Sequence, residues 1–144
     1  MMTASAHVKP SKTVYAAIGV SKKSWVVGVL RPDRAQPSIH RIAGGDLATL
    51  IVRLKTAAKD AERMIVCYEA GYDGFWLARA LIDAGVECLV LDSASLQVNR
   101  RARRVKTDRI DVVALIRALA ALDRDDRNVC AVVLLLQSLG SLEE

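Results

Sequence analysis

The chain has 144 residues, 52% apolar, 26% charged and 4% aromatic, with a net charge of +5. That length fits one domain that can bury a core without disulfide or metal staples, and the balance excludes a disordered or disulfide-rich chain. No apolar run reaches the ~18 residues of a membrane span, and the polar start, Met1–Ser11, is no secretory signal. Three cysteines, Cys67, Cys88 and Cys130, show no metal-ligand spacing, so the reading is a cytoplasmic protein with reduced thiols.

In chain order, residues 1–12 read as a loose arm. Val14–Val20 alternates, with Val14, Ala16, Ile18 and Val20 on one side and Tyr15, Ala17 and Gly19 on the other, the pattern of a strand. The polar turn Ser21–Ser24 leads to a second strand, Trp25–Leu30, and so short a connection makes the pair antiparallel. Arg31–Pro37 is a loop and Ser38–Ala43 a third strand. Asp46 then caps a helix that runs to about Asp60, with Leu47, Leu50, Ile51 and Leu54 on its inner face. Met64–Tyr68 is a buried strand ending at Glu69. Asp73 is the expected cap of the next helix, which stops at Gly85, and Val86–Leu91 is a fifth strand. A short helix is expected at Ser95–Val98, and a longer one, almost without a polar face, at Asp108–Leu122. The order predicts an α/β fold: a mixed five-stranded sheet with helices on both faces.

Charge is concentrated. Residues 100–109 hold Arg100, Arg101, Arg103, Arg104, Lys106 and Arg109 against Asp108, which equals the whole net charge of +5. A basic segment on a neutral body points to a polyanion, nucleic acid above all, with a solvated loop as the alternative. Glu69 stands at a strand's carboxyl end, where α/β sheets place their sites. Asp108 and Asp111, three apart, share one face of a helix start. Three carboxylates suit Mg²⁺ or Mn²⁺, and paired ions of this kind serve phosphodiester chemistry. The same two aspartates also fit a helix-capping arrangement, and Glu69 also fits an ion pair with Lys22 or an arginine. Ser21 and Ser24 have no visible base, His7 and His40 read as surface residues, and Trp25, Phe75 and Trp76 read as core. No phosphate-binding glycine loop is present.

The stretches Ile18-Gly19-Val20-Ser21-Lys22-Lys23, Tyr68-Glu69-Ala70-Gly71 and Lys106-Thr107-Asp108-Arg109-Ile110-Asp111 resemble the N-terminal domain of the DEDD transposases of insertion sequence family 110. The resemblance runs from about Val14 to Val133. It implies a RuvC-like, ribonuclease-H-like domain over residues 13–125, followed by an atypical tail at 126–144. It also implies a role in DNA transposition, with DNA and a structured guide RNA as partners and Mg²⁺ or Mn²⁺ held by acidic residues. Carried over position by position, the catalytic and metal residues are Glu69, Asp108 and Asp111, while Gly19 stands where the family has its first aspartate. The family also continues into a C-terminal domain with a nucleophilic serine, so Gly19 in the first acidic slot and the lack of that domain here together imply a chain inactive as given. A non-enzymatic nucleic-acid-binding fragment is the alternative. The apolar last helix, with Val112, Val113, Leu115, Ile116, Leu119 and Leu122 spread around it, predicts a homo-oligomer or a covering domain.

Overall fold

A computed structural model describes residues 12–21, 23–69, 75–91, 108–123 and 132–135, with only the backbone described for 108–111 and 132–135. Alternating small and β-branched residues build β1 (Thr13–Val20), which forms the antiparallel hairpin with β2 (Ser24–Leu30), Gly19 facing Val26 and Ala17 facing Gly28. β3 (Ser38–Ala43) adds antiparallel to β2. α1 (Leu47–Ala57) follows, then β4 (Arg63–Glu69), α2 (Trp76–Asp83), β5 (Glu87–Leu91) and α3 (Asp108–Asp123). β4 pairs parallel with β1, and β5 parallel with β4, because a helix carries the chain back between them. All five expected strands form. A sixth, β6 (Val132–Leu135), pairs antiparallel with β5, giving the order β3-β2-β1-β4-β5-β6. Three antiparallel strands followed by two parallel ones, joined through helices, make the α/β, ribonuclease-H-like arrangement that the sequence predicted.

The strand alternation divides the core into two layers. Val14, Ala16, Ile18, Val27, Val66 and Tyr68 pack under Leu50 and Leu54 of α1 and Leu77 and Leu81 of α2. Ala17, Val26, Ile65 and Cys67 pack under Val112, Leu115, Ile116 and Leu119 of α3. Both faces are therefore covered, as long valine-rich strands require. Cys67 and Cys88 are buried free thiols, and burial pushes Cys88 up to about 12; Cys130 lies outside the described residues.

Three local expectations change. α1 starts as expected, Asp46 accepting from the Thr49 amide at 3.1 Å and from its hydroxyl at 2.7 Å, but ends at Ala57 rather than Asp60. The N-cap position of α2 is Phe75, which makes no side-chain bond; Asp73 lies outside the described residues. One free amide of that first turn, that of Ala78, instead donates to the buried Tyr68 hydroxyl at 3.2 Å, a partner reached through space from β4. Trp25 is core, and the half-buried Phe75 packs against the core layer that contains it, but Trp76 remains 44% exposed with its ring 6.0 Å from that of Trp25.

The last helix is covered within the chain. Among its described side chains only Arg117 is exposed; Ala118 belongs to the core layer against the sheet, and Ala121 is buried as well. Its all-round apolarity therefore does not by itself require a second copy. The helix Ser95–Val98 lies outside the described residues. Among the described residues no helix is long and apolar enough to cross a membrane.

The far end of α3 is tied down by charge. Arg63, opening β4, donates to Asp123 Oδ1 at 2.6 Å and to both oxygens of Glu87 at 3.0 and 2.7 Å, while the Tyr15 hydroxyl donates to Asp123 Oδ2 at 2.7 Å. Partial burial alone would raise the Asp123 carboxyl, but the bonds from Arg63 and Tyr15 and the guanidinium charge outweigh it, so it sits below the usual range. A lowered folded-state value means stability that is full above the ordinary aspartate value and lost as pH falls through the folded one. Melts of the parent and Asp123→Asn are expected to differ most above about pH 4 and to converge in stronger acid. A gap that stays constant with pH overturns this.

Candidate metal and nucleic-acid site

Both core layers orient one end of the sheet. β1 and β4 run parallel with Ile18 opposite Tyr68, so one step further their carboxyl ends bring Gly19 and Glu69 side by side. Alternation puts Gly19 with Ala17, and Glu69 with Cys67, on the face covered by α3. α3 runs back along that face. Val112 lies over Gly19 near its start, the Leu115 carbonyl accepts from Cys67 Sγ at 3.7 Å in mid-helix, and Asp123 meets Tyr15 and Arg63 at the other end. The helix therefore begins at the end of the sheet where β1 and β4 finish, and Asp108 and Asp111 occupy its first turn.

Glu69 is half-buried and has a partner of its own. The side chains of Asp108, Arg109 and Asp111, and all of Arg100, Arg101, Arg103, Arg104 and Lys106, lie outside the described residues, as does Lys22. Among the described residues no group of three or more His, Cys, Asp or Glu side chains converges on a common point. The slot beside Glu69 is narrow. A Cβ added at Gly19 would stand 3.3 Å from Val112 Cγ2, so the helix closes over that position.

Sequence reasoning missed a second glycine that sets this geometry. Gly28, opposite Ala17 on β2, lets α3 approach the sheet so closely that a Cβ there would stand 2.2 Å from Val112 Cγ1 and 3.0 Å from Ile116 Cδ1. The available signal was a lone glycine inside a valine-rich strand, which often marks a close approach of another element. The Arg63 cluster left no such signal, because its members are 15 to 123 in sequence and meet only through the sheet register.

No family model matches the chain. It is 36% identical over 128 residues to "Putative transposase y4rJ" of Sinorhizobium fredii, covering 83% of this chain and 32% of that protein. It is 38% identical over 68 residues to "Putative transposase y4qE" of the same organism, covering 47% and 17%. Among solved structures it is similar to the large terminase nuclease of the thermophilic phage G20c, with TM-score 0.44 and 21% identity over 61% of this chain and 47% of that one. Archaeoglobus fulgidus Pelota gives TM-score 0.42 and 17% identity over 85% and 41%. The fold assignment stands on strand order and not on these two likenesses. The chain spans about a third of the length of the first relative, and it is a homologue of that part of a protein named as a transposase.

Proposed function

We propose that this chain is the ribonuclease-H-like domain of a DEDD transposase of the insertion sequence family 110 type, acting on DNA during transposition. In this reading Arg100, Arg101, Arg103, Arg104, Lys106 and Arg109 hold the phosphate backbone of DNA, with a structured guide RNA as a further partner. Glu69, Asp108 and Asp111 are the carboxylate ligands. The observation that carries the reading is the packing of Val112 on Gly19, beside Glu69. It supports the reading because α3, whose first turn carries the two aspartates, begins only four residues before Val112.

An all-oxygen, carboxylate donor set is the one that hard cations such as Mg²⁺ or Mn²⁺ prefer. When bound, such ions polarise a phosphodiester and stabilise the charge that develops on its oxygens. The chain's own residues would supply three carboxylates, and Gly19 supplies none where the family has its first. Metal retention is therefore weaker than in a four-acid site, and the basic segment carries most of the binding to DNA.

A second reading, a nucleic-acid-binding domain without metal chemistry, draws on how tightly Val112 covers position 19, where an added Cβ would stand 3.3 Å from its Cγ2. Two measurements separate the readings. Under the first, millimolar Mn²⁺ raises the melting temperature of the parent and leaves that of Glu69→Gln unchanged; no shift in the parent supports the second. Under both, changing Arg100, Arg101, Arg103, Arg104 and Lys106 to alanine flattens the slope of log affinity for duplex DNA against log salt by about 4 to 5. An unchanged slope would show the segment to be a solvated loop.

A further inference from the structure

The amino ends of the strands carry a groove that the reading above does not use. Two clefts, of about 540 and 600 Å³, lie along α1, between it and the chain that leaves β2 and enters β3, and they share Arg31, Thr56 and Ala57 as lining residues. They therefore run together as one groove. Among the described residues, the first cleft holds Arg31 and Arg53 and no carboxylate. The second adds Lys12 and Lys59, with Asp33 and Asp60. All four cations are exposed, and among the described residues no carboxylate pairs with any of them. Arg53 instead lies 3.3 Å from His40 Nδ1, whose other nitrogen meets the Ser38 hydroxyl at 3.2 Å. Burial first, and then Arg53, hold the His40 imidazole below its usual value.

The fold fixes this groove in place. Lys12 is anchored through its carbonyl, which accepts from the Glu62 and Arg63 amides at 2.9 and 3.3 Å. Arg31 directly follows Leu30, which pairs with Tyr15 near the start of β1. Gly19 and Glu69 lie at the other end of the same strands, about 20 Å away at ~3.3 Å per residue. They also face α3, whereas Ser38 and His40 share their side of the sheet with Ile42 and α1. A strand held in this groove is thus a separate contact from one held near Glu69.

The chemistry favours phosphate. Arginine, lysine and hydroxyl groups are the usual phosphate partners, and Thr56 lines the arginine cleft beside Arg53. Among the described residues no Phe, Tyr or Trp lines either cleft, so these supply none of the aromatic anchors typical of a protein interface. We propose that this groove is a second nucleic-acid contact, in which Arg31 and Arg53, with Lys12 and Lys59 beyond them, bind phosphates of a strand that does not pass the carboxylate end of the sheet. The proposal rests on the nucleic-acid reading above and adds to it a second binding face.

The full chain, its Arg31→Ala/Arg53→Ala variant, and the five-alanine variant of the basic segment are titrated with a 30-nucleotide RNA, the same sequence as single-stranded DNA, and its duplex. Arg31→Ala/Arg53→Ala is expected to bind at least one probe more weakly, with a slope against log salt flatter by about 1.4 for single strands or 1.8 for duplex. Whichever probe loses more identifies the strand the groove holds. Arg31→Lys/Arg53→Lys should keep the slope, and melting curves show that each variant is folded. If the alanine pair leaves affinity and slope unchanged for all probes while the five-alanine variant loses binding, the groove proposal is overturned and the proposed function stands. If the parent binds none of the probes, both fall.

Discussion

Gly28→Ala is expected to destabilise the protein by about 3 kcal/mol, at the upper end of what one added methyl costs in a packed core. The added Cβ would stand 2.2 Å from Val112 Cγ1, far inside contact distance. Ile116 Cδ1, at 3.0 Å, ends a flexible side chain and can turn away. Val112 cannot, because both its methyls branch from Cβ and its rotamer in a helix is nearly fixed. α3 itself must then lift from β2, and that opens the layer of Ala17, Ile65, Leu115 and Leu119 beneath it. Val112→Ala removes the colliding methyl, at the cost of a smaller cavity. The double variant should therefore be more stable than the sum of the single changes predicts, with a coupling of about 1 kcal/mol or more. Chemical denaturation of the four proteins measures this. Strict additivity would mean that the helix does not seat on Gly28.

Gly19→Asp is expected to lower stability without metal and to make it strongly dependent on Mg²⁺. Its Cβ would lie 3.3 Å from Val112 Cγ2, so the first turn of α3 must yield by a few tenths of an ångström. Its carboxylate would also stand beside Glu69 at the carboxyl end of the parallel pair, and like charges in proximity raise each other's pKa and oppose folding. A divalent cation reverses the sign of that term. A ligand at about 1,000 times its dissociation constant stabilises the folded state by about 4.1 kcal/mol. The variant should recover more stability from millimolar Mg²⁺ than the parent does. Gly19→Asn has nearly the same shape without the charge, so it should show the packing cost and no rescue. Equal metal-induced shifts in the Asp variant and the parent would sink position 19 as a vacated ligand slot. Rescue of the Asn variant would show a metal effect elsewhere.

These two glycines show where legibility stopped. The alternation of Val14, Ala16 and Ile18 against Tyr15 and Ala17 was readable because a strand's side chains alternate with a period of two, and each set found its own core layer. The helical spacing of Leu47, Leu50 and Leu54 was readable for the same kind of reason, and Asp46 announced the helix start through a bond to Thr49 three residues on. Local capping by a neighbour can be read from spacing, but capping through space cannot. The bond from the Ala78 amide to Tyr68 depends on β4 lying beneath α2. β6 was missed because Val132–Leu135 is a short apolar run with no period, and only the free edge of β5 makes it a strand.

By itself, then, the sequence determined the order of five strands, the two faces of the first, and the long helices, and it named Glu69, Asp108 and Asp111 as candidates, because these rest on local periodicity and on short motifs. Tertiary structure alone decided how closely α3 sits. Two hydrogens, at Gly19 and Gly28, admit Val112 to the sheet, and Arg63 gathers Asp123 and Glu87 at the helix's far end. It also joined Lys12, Arg31, Arg53 and Lys59 into one groove from separate segments. Such arrangements depend on distances between residues remote in sequence, and those distances are set by strand register and the steric fit of the layers rather than by any local pattern.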